Sequence, residues 1–343
     1  MQNLGYLRNF PTGLSYLLKT ERSWGGPVFF TIETVNVCNL RCVYCPQSDE
    51  DAHFQNGRGV MALADFQKIV RNLQSAFDVR AVSLHRDGEP LLNKRLPEFV
   101  DWLTTQGIFA SFSSNCALVT DPTAQALLDA GLRLVKTDFC ADPERYERLR
   151  VRGNWQETYA GMVRLLAAAE QRGVDFRLQI TDLATHHVDA DTAARRMADT
   201  AALFGQWRPR VSVQPVHFHN ALGESRANLA GDAPTRETGL YCLCHQPWVN
   251  LTVDFAGRAV ACCRDLRSEY VLGNLLEQPA AEIWNGEPMR RLRRALIDKQ
   301  PEQIHVCKAC DVPWSGSYSG RTPLRKVANF FFDRTWRRET IEV

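Results

Sequence analysis

What this chain lacks narrows it first. No apolar run approaches the roughly 20 residues needed to span a bilayer, so no transmembrane segment is expected. Neither sign of charge dominates: 41 Lys and Arg against 39 Asp and Glu leave a net +2. That balance gives no reason to expect nucleic acid or an acidic membrane surface as partner. A secretory signal is missing too, since Arg8 and Lys19 flank a broken apolar pattern with Pro11 and Gly13 inside it. There are no internal repeats and no low-complexity tract. The 343 residues suit one large domain or two smaller ones, and a hydrophobic fraction of 45% suffices for a sizeable core.

Cysteine is abundant, with eleven residues. Without a secretory signal, and with short Cys-x2-Cys spacings, they read as metal ligands in a cytoplasmic protein rather than as disulfides. Cys38, Cys42 and Cys45 fall within Asn36-Val37-Cys38-Asn39-Leu40-Arg41-Cys42-Val43-Tyr44-Cys45-Pro46. Three thiolates crowded into eight residues can hold three corners of a cubic iron–sulfur cluster. The fourth iron is then open to another ligand, which points to chemistry rather than electron storage. A structural zinc or a simple electron-transfer cluster is the competing reading.

Periodicity organises the remainder. Buried-strand patterns occur at 28–33, 81–84, 109–112, 132–138, 176–180 and 210–216. Helical patterns lie between them at 61–77, 96–103, 124–130, 155–172 and 192–204. Such alternation predicts an α/β fold with a parallel sheet, a partial (β/α)6 barrel over 29–217. A helical extension precedes it over 1–28, and a linker over 218–240 follows. A small cysteine-rich α+β unit is expected over 241–316, then a basic, aromatic tail over 317–343. The tail reads as a surface that packs back on the protein or meets a membrane or partner. Groups at strand C-termini converge on one mouth in such folds. Here they are the cysteine loop, Asp87-Gly88-Glu89-Pro90, Ser113-Ser114-Asn115, Asp138, Gln179 and Gln214. His85, Arg86 and His217 are further polar groups expected at that mouth.

The triplet, with Tyr44 before its last cysteine and an early strand ahead of it, resembles the radical S-adenosylmethionine superfamily. The resemblance implies a [4Fe–4S] cluster on Cys38, Cys42 and Cys45 whose open iron binds S-adenosylmethionine. Reduction of the cluster then yields a 5′-deoxyadenosyl radical that removes a hydrogen atom from carbon. Gly88, Glu89 and Pro90 resemble the second motif of that family, which meets the cofactor's amino group, with Asp87 standing where a glycine is usual. Tyr44, Ser114, Asn115, Asp138, Arg150 and Gln179 complete the implied cofactor-binding set. Arg150 matches an arginine that in relatives reaches the cofactor's carboxylate.

A second constellation comprises Cys242-x-Cys244, Cys262-Cys263 and Cys307-x2-Cys310, with a hairpin turning at Ala256-Gly257. Its order resembles the Twitch domain, a shortened form of the SPASM extension. That resemblance implies one auxiliary [4Fe–4S] cluster, for which Cys244, Cys262, Cys307 and Cys310 are the chosen ligands. Cys242 and Cys263 are alternatives, and zinc is the competing metal. Cys263 is also a candidate hydrogen donor to a substrate radical, a role that Cys116 and Cys140 share less readily.

The resemblance implies a reaction type, not a substrate. Because relatives with one auxiliary cluster include enzymes of small metabolites, the leading expectation is an enzyme acting on a small polar metabolite, a carbohydrate, aminocyclitol or nucleoside, by dehydrogenation or epimerisation. An electron donor such as flavodoxin or ferredoxin is its implied partner. The alternatives are radical modification of a peptide and a non-catalytic iron–sulfur electron carrier. Only about 28 residues precede the first strand, too few for the recognition domain of many peptide-modifying relatives.

Overall fold

The computed structural model describes residues 9–49, 54, 57–216, 218, 222 and 239–314. The expected tail 317–343, His217 and most of the expected linker 218–240 lie outside them. The strands are β1 (Phe29–Ile32), β2 (Arg41–Cys42), β3 (Ala81–Ser83), β4 (Phe109–Ser113), β5 (Leu134–Phe139) and β6 (Arg150–Val151). They continue with β7 (Arg177–Asp182), β8 (Val211–Pro215), β9 (Asn250–Val253), β10 (Arg258–Val260) and β11 (Val271–Asn274).

Six of them, in the order β1-β3-β4-β5-β7-β8, are parallel neighbours, as the alternating pattern predicts. Helices Leu63–Ala76, Leu96–Thr105, Asp121–Asp129, Trp155–Gln171 and Ala190–Ala202 connect or follow these strands. Three of them start where the side chain of Thr120, Asn154 or Asp189 accepts an N–H three residues on, satisfying donors the first turn leaves open. The helix Leu63–Ala76 turns Phe66, Ile69, Val70 and Leu73 onto the sheet, all fully buried, at the spacing of one helical face.

The sheet does not close on itself. The outer edge of β1 pairs with β9 in parallel, Phe29 opposite Asn250 through Ile32 opposite Val253. The hairpin β9–β10, with cysteines on either side of it, and the strand β11 therefore extend the barrel sheet, giving nine strands in the order β11-β10-β9-β1-β3-β4-β5-β7-β8. All four residues of β9 are buried, which suits a strand covered on both faces. The segments on either side of the expected linker thus share one sheet.

Two elements escape the periodic reading. A short helix, Pro143–Leu149, follows β5, and β6 after it pairs with β2 in a two-residue antiparallel ladder. Neither is long enough to show a period. That ladder sets Cys42 opposite Arg150.

Phe66 packs its ring 4.8 Å from Phe99 and 5.9 Å from Trp102. Phe66→Ala is expected to lower stability by about 3–5 kcal/mol, the usual range for emptying a buried aromatic site. Denaturant unfolding checks this, and a loss below about 1 kcal/mol contradicts the packing.

Candidate active site and a second cysteine cavity

The cysteine loop leaves β1 and returns through β2. Cys38, Cys42 and Cys45 are poorly exposed, and each lies within electrostatic reach of at least one of the others. Burial, reinforced by neighbouring thiols and carboxylates, pushes the Cys38 thiol up to about 12 and raises Cys42 and Cys45 as well. Such a group gives up its protons when a cation takes the charge.

Beside the loop lies Asp87-Gly88-Glu89. A Cβ on Gly88 would stand 2.3 Å from the Val35 carbonyl oxygen and 2.7 Å from that of Val37, both backbone atoms that lead into Cys38. Only glycine allows the two segments to approach this closely. The Glu89 amide then donates to the Val37 carbonyl at 2.8 Å. The Glu89 side chain is 2% exposed. Its Oε1 accepts from Ser114 Oγ at 2.7 Å and the Leu91 amide at 3.1 Å; its Oε2 accepts from the Asn115 amide at 2.7 Å. A carboxylate has room for about four donors, so one position on Oε2 is left open. Asn115 Nδ2 also donates to Asn39 Oδ1 at 2.8 Å, tying β4's end to the cysteine loop. Cys116, next in the chain, takes a left-handed φ of 59° within these nested turns.

A second group closes the loop's other side. Arg150 Nη1 donates to Asp138 Oδ2 and to Tyr44 Oη, both at 2.9 Å, and Tyr44 Oη donates to the same carboxylate oxygen at 3.2 Å. Among the described residues Arg150 Nε is buried without a hydrogen-bond partner, and none donates to Oδ1 of Asp138. An arginine edge and a carboxylate oxygen therefore remain available beside Cys42.

The inner face of the sheet is polar. In-register pairing puts Ser113, Lys136 and Gln179 in one row and Asp138, Thr181 and Gln214 in the next. Gln179 Nε2 donates to Gln214 Oε1, and Gln214 Nε2 to Thr181 Oγ1 at 3.3 Å. Gln179, assigned to the cofactor from sequence, is thus tied to its neighbours on this face. His85 continues the face beyond Ser83, within electrostatic reach of Asp87, Asp138 and Lys136. Burial pulls its imidazole down to about 4, so it is neutral at ordinary pH. Arg86, expected at the mouth, is turned instead toward Glu33 and the loop after Cys263.

The second cysteine group lines a small, mostly apolar cavity. Cys244, Cys262, Cys307 and Cys310 all line it, with Arg264 and an apolar wall that includes Leu292, Leu296 and Val306. Burial first, then repulsion from the sulfurs around them, raises all four thiols, Cys244 to about 11 and Cys310 to about 12. Cys242 and Cys263 are not among the lining residues. Cys263 feels the charges of Arg264 and Arg86. Cys116 and Cys140 are fully buried and their thiols pushed up to about 12, which suits packed, inert sulfurs. Among the described residues no three His, Cys, Asp or Glu side chains are placed to hold a single metal ion. The four sulfurs of the second group line one cavity, so that group fits a cluster with thiolates at its corners.

A parallel partial barrel with a buried cysteine triplet at its strand ends, joined to a second cysteine cavity, is the architecture of an iron–sulfur radical enzyme. Residues 32–182 match the radical SAM superfamily and residues 242–311 match the SPASM iron–sulfur cluster-binding domain, together well over half of the chain. The chain belongs to the radical S-adenosylmethionine superfamily and carries a SPASM domain. Its cofactors are accordingly S-adenosylmethionine and [4Fe–4S] iron–sulfur clusters.

It is 30% identical over 134 residues to a probable GTP 3′,8-cyclase of Methanococcus maripaludis, a match covering 39% of this chain and 43% of that protein. The chain therefore spans less than half the length of that relative. It is 23% identical over 283 residues to the S-adenosyl-L-methionine-dependent 2-deoxy-scyllo-inosamine dehydrogenase of Niallia circulans, covering 82% of this chain and 91% of that one. Two solved structures share the fold with a TM-score of 0.55. BtrN in complex with AdoMet and 2-DOIA is 20% identical and covers 83% of this chain and 93% of its own. AnSMEcpe with bound AdoMet and the Cp18Cys peptide is 15% identical and covers 91% of this chain and 98% of its own.

Gly88→Ala is expected to destabilise the protein by about 1–3 kcal/mol, because neither carbonyl it meets can swing aside. It should also loosen the cysteine loop. Thermal unfolding and the iron retained at the first site after reconstitution check this together; wild-type values for both would refute the close approach.

Proposed function

We propose that this radical S-adenosylmethionine enzyme removes a hydrogen atom from a small polar metabolite, a carbohydrate, aminocyclitol or nucleoside, and carries it to a dehydrogenated or epimerised product. The observation that carries this reading is the polar inner face of the sheet. Ser113, Lys136, Gln179, Thr181 and Gln214 offer donors and acceptors in register, with His85 beside them. A substrate rich in hydroxyl or amino groups matches such a wall, since every polar group it buries needs a partner.

In this reading Cys38, Cys42 and Cys45 hold the first cluster, and Cys244, Cys262, Cys307 and Cys310 hold a second, fully ligated one, two clusters in all. When bound, the first cluster and S-adenosylmethionine supply a 5′-deoxyadenosyl radical, and the second cluster supplies an electron acceptor. The open position on Glu89 Oε2 receives the cofactor's amino group. The free Nε edge of Arg150 would hold its carboxylate, with Tyr44 and Asp138 keeping the guanidinium in place. Gly88 and Pro90 shape the turn that presents Glu89, while Ser114 and Asn115 fix its carboxylate. A substrate radical beside a hydroxyl becomes a carbonyl by losing one electron and the hydroxyl proton. Neutral His85 on the same face can accept a hydrogen bond from that hydroxyl, and the proton passes on to solvent. If Cys263 instead donates its thiol hydrogen to the opposite face of the radical carbon, the product is the epimer. The thiyl radical left on Cys263 is then returned to the thiol by one electron from the external electron donor, passed through the second cluster, and one proton from solvent.

Reconstituted protein should hold about eight irons, two four-iron clusters. Four irons, or zinc in the distal cavity, would remove the electron-acceptor role. Cys42→Ala should abolish deoxyadenosine formation, and persistent cleavage would sink the first-cluster assignment. Anaerobic turnover with deuterated sugars and aminocyclitols should carry deuterium into deoxyadenosine. Hydrogen from solvent at product carbon would favour epimerisation, and a mass change found only on peptides would overturn the small-metabolite reading.

A further inference from the structure

Arg86 stands three residues before Glu89, yet its side chain serves neither the cofactor nor the substrate face. It is 2% exposed, and its partner Glu33, one residue past β1, is fully buried. All five of its N–H donors are engaged. Nε and Nη2 grip the two Glu33 oxygens, each at 3.1 Å. Nη1 donates to the Asp265 carbonyl at 2.7 Å and to Ser268 Oγ at 3.1 Å, and Nη2 to the Leu266 carbonyl at 3.1 Å. Glu33 Oε2 also accepts the Phe255 amide at 3.2 Å, which brings in the turn after β9.

The held loop is the one that immediately follows Cys262 and Cys263. It is itself compact: the Asp265 amide donates to the Cys262 carbonyl at 3.2 Å. The Asp265 carboxylate accepts the amides of Glu269 and Tyr270 at 2.8 and 3.0 Å. Ser268 takes a left-handed φ of 55° beneath the guanidinium.

We propose that Arg86 is a positioning residue that pins the loop after Cys262 and Cys263 to the barrel's strand ends, setting where the second cysteine site stands relative to the first. Three pieces meet at one guanidinium: the strand that delivers the cysteine triplet, the turn that presents Glu89, and the loop that follows Cys262. A buried ion pair is a poor source of net stability, because desolvation offsets most of the attraction. What a planar five-donor fork supplies is a defined geometry, and lysine's point charge with three donors does not reproduce it. The inference rests on the two-cluster reading only for what the two sites hold.

Hydrogen–deuterium exchange of the full-length, reconstituted protein tests it, with Arg86→Lys as the main variant and Ser268→Ala as a milder one that leaves the ion pair whole. Arg86→Lys should raise exchange of the amides at 264–270 by about tenfold, the worth of one or two hydrogen bonds. Exchange in the helix Leu63–Ala76 should stay unchanged, and Ser268→Ala should give a smaller rise at the same amides. The electron paramagnetic resonance signal of the reduced second cluster should change shape in Arg86→Lys, while that of the first keeps its own. Unchanged exchange at 264–270 in both variants, or a rise spread evenly over the sheet, would overturn the proposal. A wild-type iron content near four would instead defeat the two-cluster reading and leave the exchange pattern to decide the role of Arg86.

Discussion

β1 is hydrogen-bonded along both edges, to β3 on one side and to β9 on the other, and both partners run parallel to it. Parallel pairing aligns strand C-termini, so whatever follows these three strands emerges at one end of the sheet. The cysteine loop follows β1, the Asp87-Gly88-Glu89 turn follows β3, and the turn into β10 follows β9. The two cysteine sites are therefore set on neighbouring segments of a single sheet rather than on two bodies joined by a tether. Covering both edges of β1 also leaves it no exposed edge for pairing with another chain.

Around that strand the polar groups are buried, and burial makes their pairing strict. An unsatisfied buried donor or acceptor costs about 1–3 kcal/mol, and the two groups that flank the cysteine loop are paired on most sides. Glu89 is held from three sides with one acceptor position remaining. Arg150 is fixed through Nη1 with Nε unpartnered. The thiols show the same logic in another form: burial and mutual proximity favour their protonated state until a cation takes the charge. Rigidity and incompleteness coexist in these groups, which is what a preorganised cofactor site requires.

The parts legible in the sequence share one property, short range. Six strands and their helices appear as periods of two and 3.6 within windows of a dozen residues. Cys38, Cys42 and Cys45 are recognisable because their spacing lies inside eight residues. Cys242 and Cys244 are harder to tell apart, because a single residue separates them; of the two, Cys244 lines the cavity. The helix Pro143–Leu149 and the β2–β6 ladder were too short for any period, yet they bring Arg150 against a cysteine loop more than a hundred residues earlier. Arg86 looked like a mouth residue from its place beside Asp87. Its partners lie 53 and about 180 residues away, and no local pattern encodes them.

By itself the sequence determined the alternation of strands and helices, the closely spaced cysteine triplet and the family to which both belong, because those follow from neighbouring residues and their spacing. Only the tertiary structure decided that the distal hairpin extends the barrel sheet, which cysteines line the second cavity, and which way Arg86 turns. Each of these depends on strand pairing and burial between segments far apart in the chain. A row of residues can be amphipathic without stating what will cover it.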